Sequence, residues 1–207
     1  MIKITNEMKK YIMLQRTQIT NPEKVAELYW QSIQEDYDTI KNHLPDVFNC
    51  LDIGCGIAGI DLMLYRNNDY DLNLLDYSKT DNDIYYGYKE KGCVYNSLEL
   101  AEQFLVMNGV DKNDINLHDA GKDGISSRLR KVDVVISLIS CGFHYPAMTY
   151  MRDIILLNPK IIILDIRKGS GEIEHIRRLF KGNVTIIADY QKYERILIKN
   201  ENYIDRV

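Results

Sequence analysis

The chain of 207 residues is 45% hydrophobic and 27% charged, with four cysteines and a formal net charge of −4. That composition fits one globular domain with a substantial core and excludes a disordered or fibrous chain. It also excludes an overall basic field for nucleic acid or an anionic membrane, and no stretch reaches the ~20 apolar residues of a bilayer span.

The N-terminal run MIKITNEMKKYIML carries neither a signal-peptide core nor a cleavage site, so a cytoplasmic location with reduced thiols is expected. Cys50, Cys55, Cys93 and Cys141 form no CxxC pair and have no histidine at zinc-finger spacing, which argues against structural zinc. Residues 1–45 read as a helical extension. Within it Asn21 is the expected N-cap and Pro22 the first helical position, with Val25, Leu28, Tyr29, Ile33 and Tyr37 at helical spacing and Pro45 as the stop.

From residue 46 to 207 the pattern becomes a single α/β domain, in which apolar runs of strand length alternate with helical segments. The runs are 47–53, 72–76, 115–120, 132–140, 160–166, 184–190 and 193–200. Helices are expected after the first, before the third, after the fourth and after the fifth. Only Gln191 and Lys192 separate the last two runs, too little for a parallel crossover and right for a hairpin. The expected fold is therefore a doubly wound, Rossmann-like sheet of seven strands, mostly parallel, closed by an antiparallel C-terminal hairpin and preceded by helices. The connection from Tyr77 to Tyr95 is long, polar and rich in tyrosine, as a binding loop or lid would be.

LDIGCGIAG places Gly54, Gly56 and Gly59 between the first strand and its helix, a pattern that permits a tight turn and close approach of a ligand. Asp76 ends the second strand 20 residues after Gly56, where a carboxylate can accept hydrogen bonds from ribose hydroxyls. Nicotinamide cofactors and S-adenosylmethionine both carry that ribose. Asp52, just before the glycine loop, would repel a pyrophosphate and suits a ligand with an ammonium and a sulfonium. Asp119, ending the third strand, offers an acceptor for the exocyclic amine of adenine.

On these residues, with LNLLD, the helix ending FLVMNGV, INLHDA and the terminal hairpin, the chain resembles the class I S-adenosylmethionine-dependent methyltransferases over roughly residues 47–200. The resemblance implies S-adenosylmethionine as cofactor, with contacts from Asp52, Gly54, Cys55, Gly56, Gly59, Asp76, Tyr77, Asp119, Ala120 and Ser137. The competing reading is a plain Rossmann-like domain whose carboxylates cap neighbouring helices.

In such sheets the chemistry lies beyond the carboxyl ends of the central strands, where Ser140 to Pro146 of SLISCGFHYP end the fourth run. His144 is the candidate general base, with Phe143, Tyr145 and Tyr150 as candidate walls for the acceptor. The run SxxSCGFHYP followed by Tyr150 also resembles a short motif of proteins classed as sugar O-methyltransferases. No [DNS]-P-P-[YFW] follows the fourth strand, and that strand ends in Ser140 and not in an acid. Amino methylation of DNA bases and a catechol-type magnesium site therefore lack their usual residues, and Asp165 alone is a poor magnesium ligand set. His43, His118 and His175 read as surface or structural, and Cys141 as a buried thiol.

The expected activity is O-methylation of a small hydroxylated molecule such as a sugar. Two alternatives stand beside it: a non-catalytic cofactor-binding module that contacts a protein, and a methyltransferase acting on protein or RNA. Lys79, Lys89 and Lys91 in the tyrosine-rich connection are offset by Asp81, Asp83 and Glu90, which argues against nucleic acid as partner. The sequence leaves a homo-oligomer open.

Overall fold

Strands buried on both faces read as unbroken apolar runs, and this sheet shows why. The computed structural model describes residues 2–200 apart from 47, 68–69, 82, 94, 123–124, 126–128 and 130–131. Its strands are β1 (Phe48–Ile53), β2 (Tyr70–Asp76), β3 (Ile115–Asp119), β4 (Val134–Ser137), β5 (Ile161–Arg167), β6 (Val184–Asp189) and β7 (Tyr193–Lys199). They form one sheet in the order β3-β2-β1-β4-β5-β7-β6, parallel from β3 through β5, with β7 antiparallel to both of its neighbours. The expected seven-stranded doubly wound fold with its terminal hairpin is thus the observed one.

The helices among the described residues are α1 (Asn6–Gln15), α2 (Val25–Ile40), α3 (Gly59–Asn67), α4 (Leu98–Met107), α5 (Met148–Leu157) and α6 (Glu172–Leu179). Strand alternation sends Cys50, Leu72, Leu74, Val134, Ile136 and Leu197 to one face, where they pack with Met8, Ile12, Tyr29, Ile33, Leu62 and Phe104. Leu51, Ile53, Val135, Leu164, Ile196 and Ile198 point to the other face and pack with Met151, Ile154 and Ile176. The N-terminal helices share the first of these cores. No helix among the described residues is long and apolar enough to cross a membrane.

Several element ends differ from expectation by a residue or more, and two of the differences bear on the site. Helix α2 starts at Val25 and not at Pro22, because Asn21 caps a turn instead: its Oδ1 accepts the Glu23 N–H at 3.0 Å and its carbonyl the Lys24 N–H at 3.1 Å. Strand β4 stops at Ser137, short of residue 140. Ile139 takes a left-handed φ of 55°, and the Ser140 carbonyl accepts from the N–H groups of Phe143 and His144 at 3.0 and 2.8 Å. The apolar run continues, but its backbone has turned.

A chain of buried charges ties that turn to the rest of the fold. Arg195, on β7, is fully buried and makes two bonds to Asp165 on β5, Nε to Oδ1 at 2.7 Å and Nη2 to Oδ2 at 2.9 Å. Its Nη2 also bonds Asp36 Oδ1 at 2.9 Å, and its Nη1 bonds Thr39 Oγ1 at 2.6 Å, both on α2. Asp36 Oδ2 in turn accepts from Arg16 Nη2 at 2.8 Å, while Asp165 Oδ2 accepts the Ile139 N–H at 3.0 Å. Two cations and two anions therefore join the start of the helical layer to the loop after β4. Asp165 is committed to this pairing.

Candidate functional site

The carboxyl ends of β1, β2 and β4 meet where the parallel register aligns Asp52 with Leu74 and Ile136. The chain leaves β1 through Gly54, whose φ of 78° favours glycine and whose N–H donates to the Leu75 carbonyl at 2.7 Å. A methyl group there would come within 1.9 Å of Ser140 Oγ, so the loop and the post-β4 turn are in direct contact. At Gly59 a methyl would lie 2.3 Å from the Tyr29 hydroxyl, which explains how closely α2 rides over α3.

Asp76 organises the loop. Its Oδ1 accepts the Tyr77 N–H at 2.7 Å, and its Oδ2 accepts the Gly56 N–H at 3.0 Å and Asn96 Nδ2 at 2.8 Å. Asn96 Nδ2 also reaches the Gly56 carbonyl at 2.9 Å, and its Oδ1 accepts from Gln15 Nε2 at 3.1 Å. Three of about four acceptor positions on the carboxylate are thereby used, which leaves one on Oδ1 for a ligand hydroxyl. Burial pushes the Asp76 carboxyl up to about 6 against the pull of these donors.

Asp52, 3% exposed, faces Asp61 in the first turn of α3, which is fully buried. Neither Asp61 oxygen has a hydrogen-bond partner among the described residues. Desolvation raises both carboxyls, Asp61 up to about 7, and their proximity raises Asp52 further. Two buried carboxyls so placed repel when both are ionised, so a state that holds one proton between them is favoured over the doubly charged one.

Two clefts meet at this point. The smaller, about 120 Å³, is lined by Asp52, Gly54, Gly56, Asp76 and Asn96 together with Gln15, Arg16, Tyr29 and His144. The larger, about 810 Å³, is lined by Ile53, Leu75, Tyr77 and Ala120, by the aromatic residues Tyr85, Tyr145 and Tyr150, and by the charged Lys79, Asp81, Glu90 and Lys91. Gly54, Asp76, Cys93, Ser140 and Tyr145 line both clefts. An apolar, aromatic slot beside a carboxylate can hold a nucleoside, and an acidic cleft adjoining it can hold a cationic group.

The loop after β4 is braced from three sides. Ser137 is fully buried below the clefts, its Oγ donating to the Ile53 carbonyl at 2.6 Å and accepting the Cys141 N–H at 2.9 Å. His144 receives the Lys89 N–H on its carbonyl at 3.0 Å, and its ring bonds the Gly87 backbone. Burial, with Arg167 nearby, holds the imidazole below the usual histidine range. The Tyr145 ring lies against Gly92, where a methyl would be 2.6 Å away, and the Tyr88 hydroxyl donates to Glu172 Oε2 at 3.0 Å. The tyrosine-rich connection therefore straps across the post-β4 loop.

Of the residues singled out in the sequence, Asp52, Gly54, Cys55, Gly56, Gly59, Asp76, Tyr77, Ala120, His144, Tyr145 and Tyr150 come together around the two clefts. Phe143 does not. Its ring is buried edge-on to Tyr193 at 5.3 Å, under the Arg167 guanidinium at 4.3 Å, and lines neither cleft. Asp119 and Ser137 also line neither cleft; Asp119 is held by the Gly121 N–H at 2.9 Å and Lys122 Nζ at 2.9 Å, and against the desolvation that raises it these partners pull its carboxyl below the usual range. His118 Nε2 meets Asn73 Oδ1 at 3.3 Å, as a satisfied structural histidine does, and the Cys141 thiol is fully buried. Sequence reasoning missed Gln15, Arg16, Asp61 and Asn96. Asp61, a carboxylate on the otherwise apolar face of α3, carried a readable signal; the others carried none.

No family model and no curated protein matches the sequence. Solved structures do match in fold. Ribosomal protein L11 methylase from Lactobacillus delbrueckii subsp. bulgaricus superposes with a TM-score of 0.57 at 14% identity, over 82% of this chain and 78% of that one. Magnesium protoporphyrin IX methyltransferase from Synechocystis PCC 6803, solved with S-adenosylmethionine bound, gives 0.50 at 16% identity, over 94% and 84%. TrmK of M. capricolum, solved with S-adenosylhomocysteine, gives 0.50 at 13% identity, over 83% and 70%. The chain therefore has the Rossmann-like fold of the class I S-adenosylmethionine-dependent methyltransferases.

Proposed function

We propose that the protein is an S-adenosylmethionine-dependent methyltransferase that methylates a hydroxyl of a small molecule such as a sugar, with His144 as the base. The observation that carries this reading is the junction of the two clefts at Gly54, with Asp76 on the rim of both and His144 on the smaller. The residues present fit the cofactor. Asp76 keeps an acceptor for a ribose hydroxyl, and Tyr77, Leu75, Ala120 and Tyr150 offer faces for adenine. Asp52 and Asp61 hold their protons more tightly than free carboxyls do, and the positive charge of an ammonium and a sulfonium beside them would favour the ionised form. The solved structures of the same fold that hold this cofactor or its product support the assignment.

When bound, S-adenosylmethionine supplies an electrophilic methyl group. His144 is held below the usual histidine range and is neutral at pH 7. The Gly87 backbone bond favours the charged ring, as a bond donated by a ring N–H does, so in the neutral ring the other nitrogen carries the lone pair. That nitrogen would take the proton of the acceptor hydroxyl. Tyr145 and Tyr150, 6.2 Å apart and edge to face, wall the larger cleft against water.

Calorimetry is expected to show S-adenosylhomocysteine binding to the purified chain; binding of neither cofactor nor product overturns the reading. His144→Gln is expected to lower kcat by about 100-fold with product affinity unchanged. The wild-type rate is expected to fall on acidification with a midpoint below the usual ~6.5 of histidine. Turnover that persists in the variant removes His144 as base. Cofactor label entering protein or RNA in a lysate, and not small molecules, overturns the proposed acceptor class.

A further inference from the structure

We propose that Arg16, where α1 runs into the turn before α2, holds the carboxylate of the cofactor's amino-acid end, so that the N-terminal helices are part of the cofactor site and set its preference for ligands carrying that end. This rests on the cofactor reading above and names a group that no glycine-loop motif contains. Arg16 and Asp52 both line the smaller cleft, and the Arg16 side chain keeps 16% of its surface accessible. One donor, Nη2, is engaged by Asp36, and Asp36 is simultaneously bonded by Arg195. A guanidinium has five N–H donors in a fixed fork suited to a carboxylate, so most of this fork remains for a ligand.

The charge pattern of the cleft points the same way. Among its described lining residues Arg16 is the sole Arg or Lys, set against the acids Asp52 and Asp76. One cation and two acids in the lining of one small cleft are complementary to a zwitterion: carboxylate to Arg16, ammonium to Asp52. A ligand with adenosine alone would fill the larger cleft and make no use of Arg16. The Asp36–Arg195 pairing holds Arg16 in place, since Arg195 is itself fixed on β7 by Asp165.

The test compares two probes by calorimetry on the full chain. S-adenosylhomocysteine carries the amino-acid end, and 5′-methylthioadenosine lacks it. Arg16→Met is expected to weaken the first by about 10- to 100-fold and to change the second by less than about twofold. Arg16→Lys is expected to recover part of the loss. Retained 5′-methylthioadenosine binding shows that each variant is folded. The proposal is overturned if the variant binds both probes as wild type does, or if both weaken equally, which would make Arg16 a structural partner of Asp36 only. Wild-type protein that binds neither probe overturns the cofactor reading itself, an outcome distinct from both.

Discussion

Replacing Arg195 with leucine is expected to destabilise the protein by about 3–5 kcal/mol, because removing one member of a buried ion pair leaves the others uncompensated. For a chain of this length that corresponds to a fall in Tm of roughly 6–20 °C. The guanidinium is fully buried and its partners Asp165 and Asp36 are 0% and 9% exposed at their side chains, so solvent cannot take over its role. Burial alone raises the Asp165 carboxyl, and the Arg195 pairing opposes that rise, so without Arg195 the acid would take up a proton. Leucine at 195 combined with Asp165→Leu is expected to recover part of the loss, since two apolar groups can replace a buried pair where one cannot. Thermal unfolding of the two variants checks this. A single variant within about 1 kcal/mol of wild type would mean that the pairing contributes no more than an exposed one. Since Asp165 Oδ2 also holds the Ile139 N–H, the single variant is expected to loosen the turn that carries Ser140 and His144.

Asp61→Asn is expected to make the protein more stable at neutral and alkaline pH and to flatten the pH dependence of its stability. A carboxyl raised on folding keeps a proton that the unfolded chain releases, so stability falls as pH rises from the unfolded value near ~4 to the folded one. For Asp61, up to about 7, most of that loss falls between pH 4 and 7. Its share between pH 5.5 and 7.5 is about 2 kcal/mol. Asp52 faces it from β1, Tyr29 lies above it on α2, and Cys50 and Cys55 complete the titratable surroundings. None of these is cationic. The asparagine amide can donate to an ionised Asp52, replacing the shared proton with a hydrogen bond that pH does not remove. Denaturant melts at pH 5.5 and 7.5 measure the difference. If the variant keeps the wild-type slope, the two carboxyls do not share a proton. Asp76, raised to about 6, adds a smaller slope of the same sign that the variant retains.

The chain's own pattern determined a good deal. Strand and helix alternation is set by local periodicity, and a gap of Gln191 and Lys192 permits only a hairpin between β6 and β7. The glycine loop with Asp52 and Asp76 was legible because the turn, the strand ends and the 20-residue spacing all lie within one βαβ unit. Local reasoning failed where a backbone turn or a pairing depends on distant partners. The run 132–140 is apolar throughout, yet β4 ends at Ser137 because Asp165 captures the Ile139 N–H. Asn21 has the chemistry of a helix cap but caps a turn. Phe143 sits in a run that reads as an acceptor wall, yet Tyr193 and Arg167 draw its ring away from both clefts.

What only the tertiary structure decided is the set of polar partnerships around the site. Arg195 and Asp36 are 159 positions apart in the chain, and Gln15 and Asn96 are 81 apart. No periodicity or spacing encodes such pairs. They exist because the sheet order places β7 next to β5 and beneath α2, and because α1 ends over the glycine loop. Apolar periodicity is written locally because each strand and helix must bury its own face. Polar complementarity is a property of the assembled site, since a buried charge or amide needs a specific partner wherever the fold supplies one.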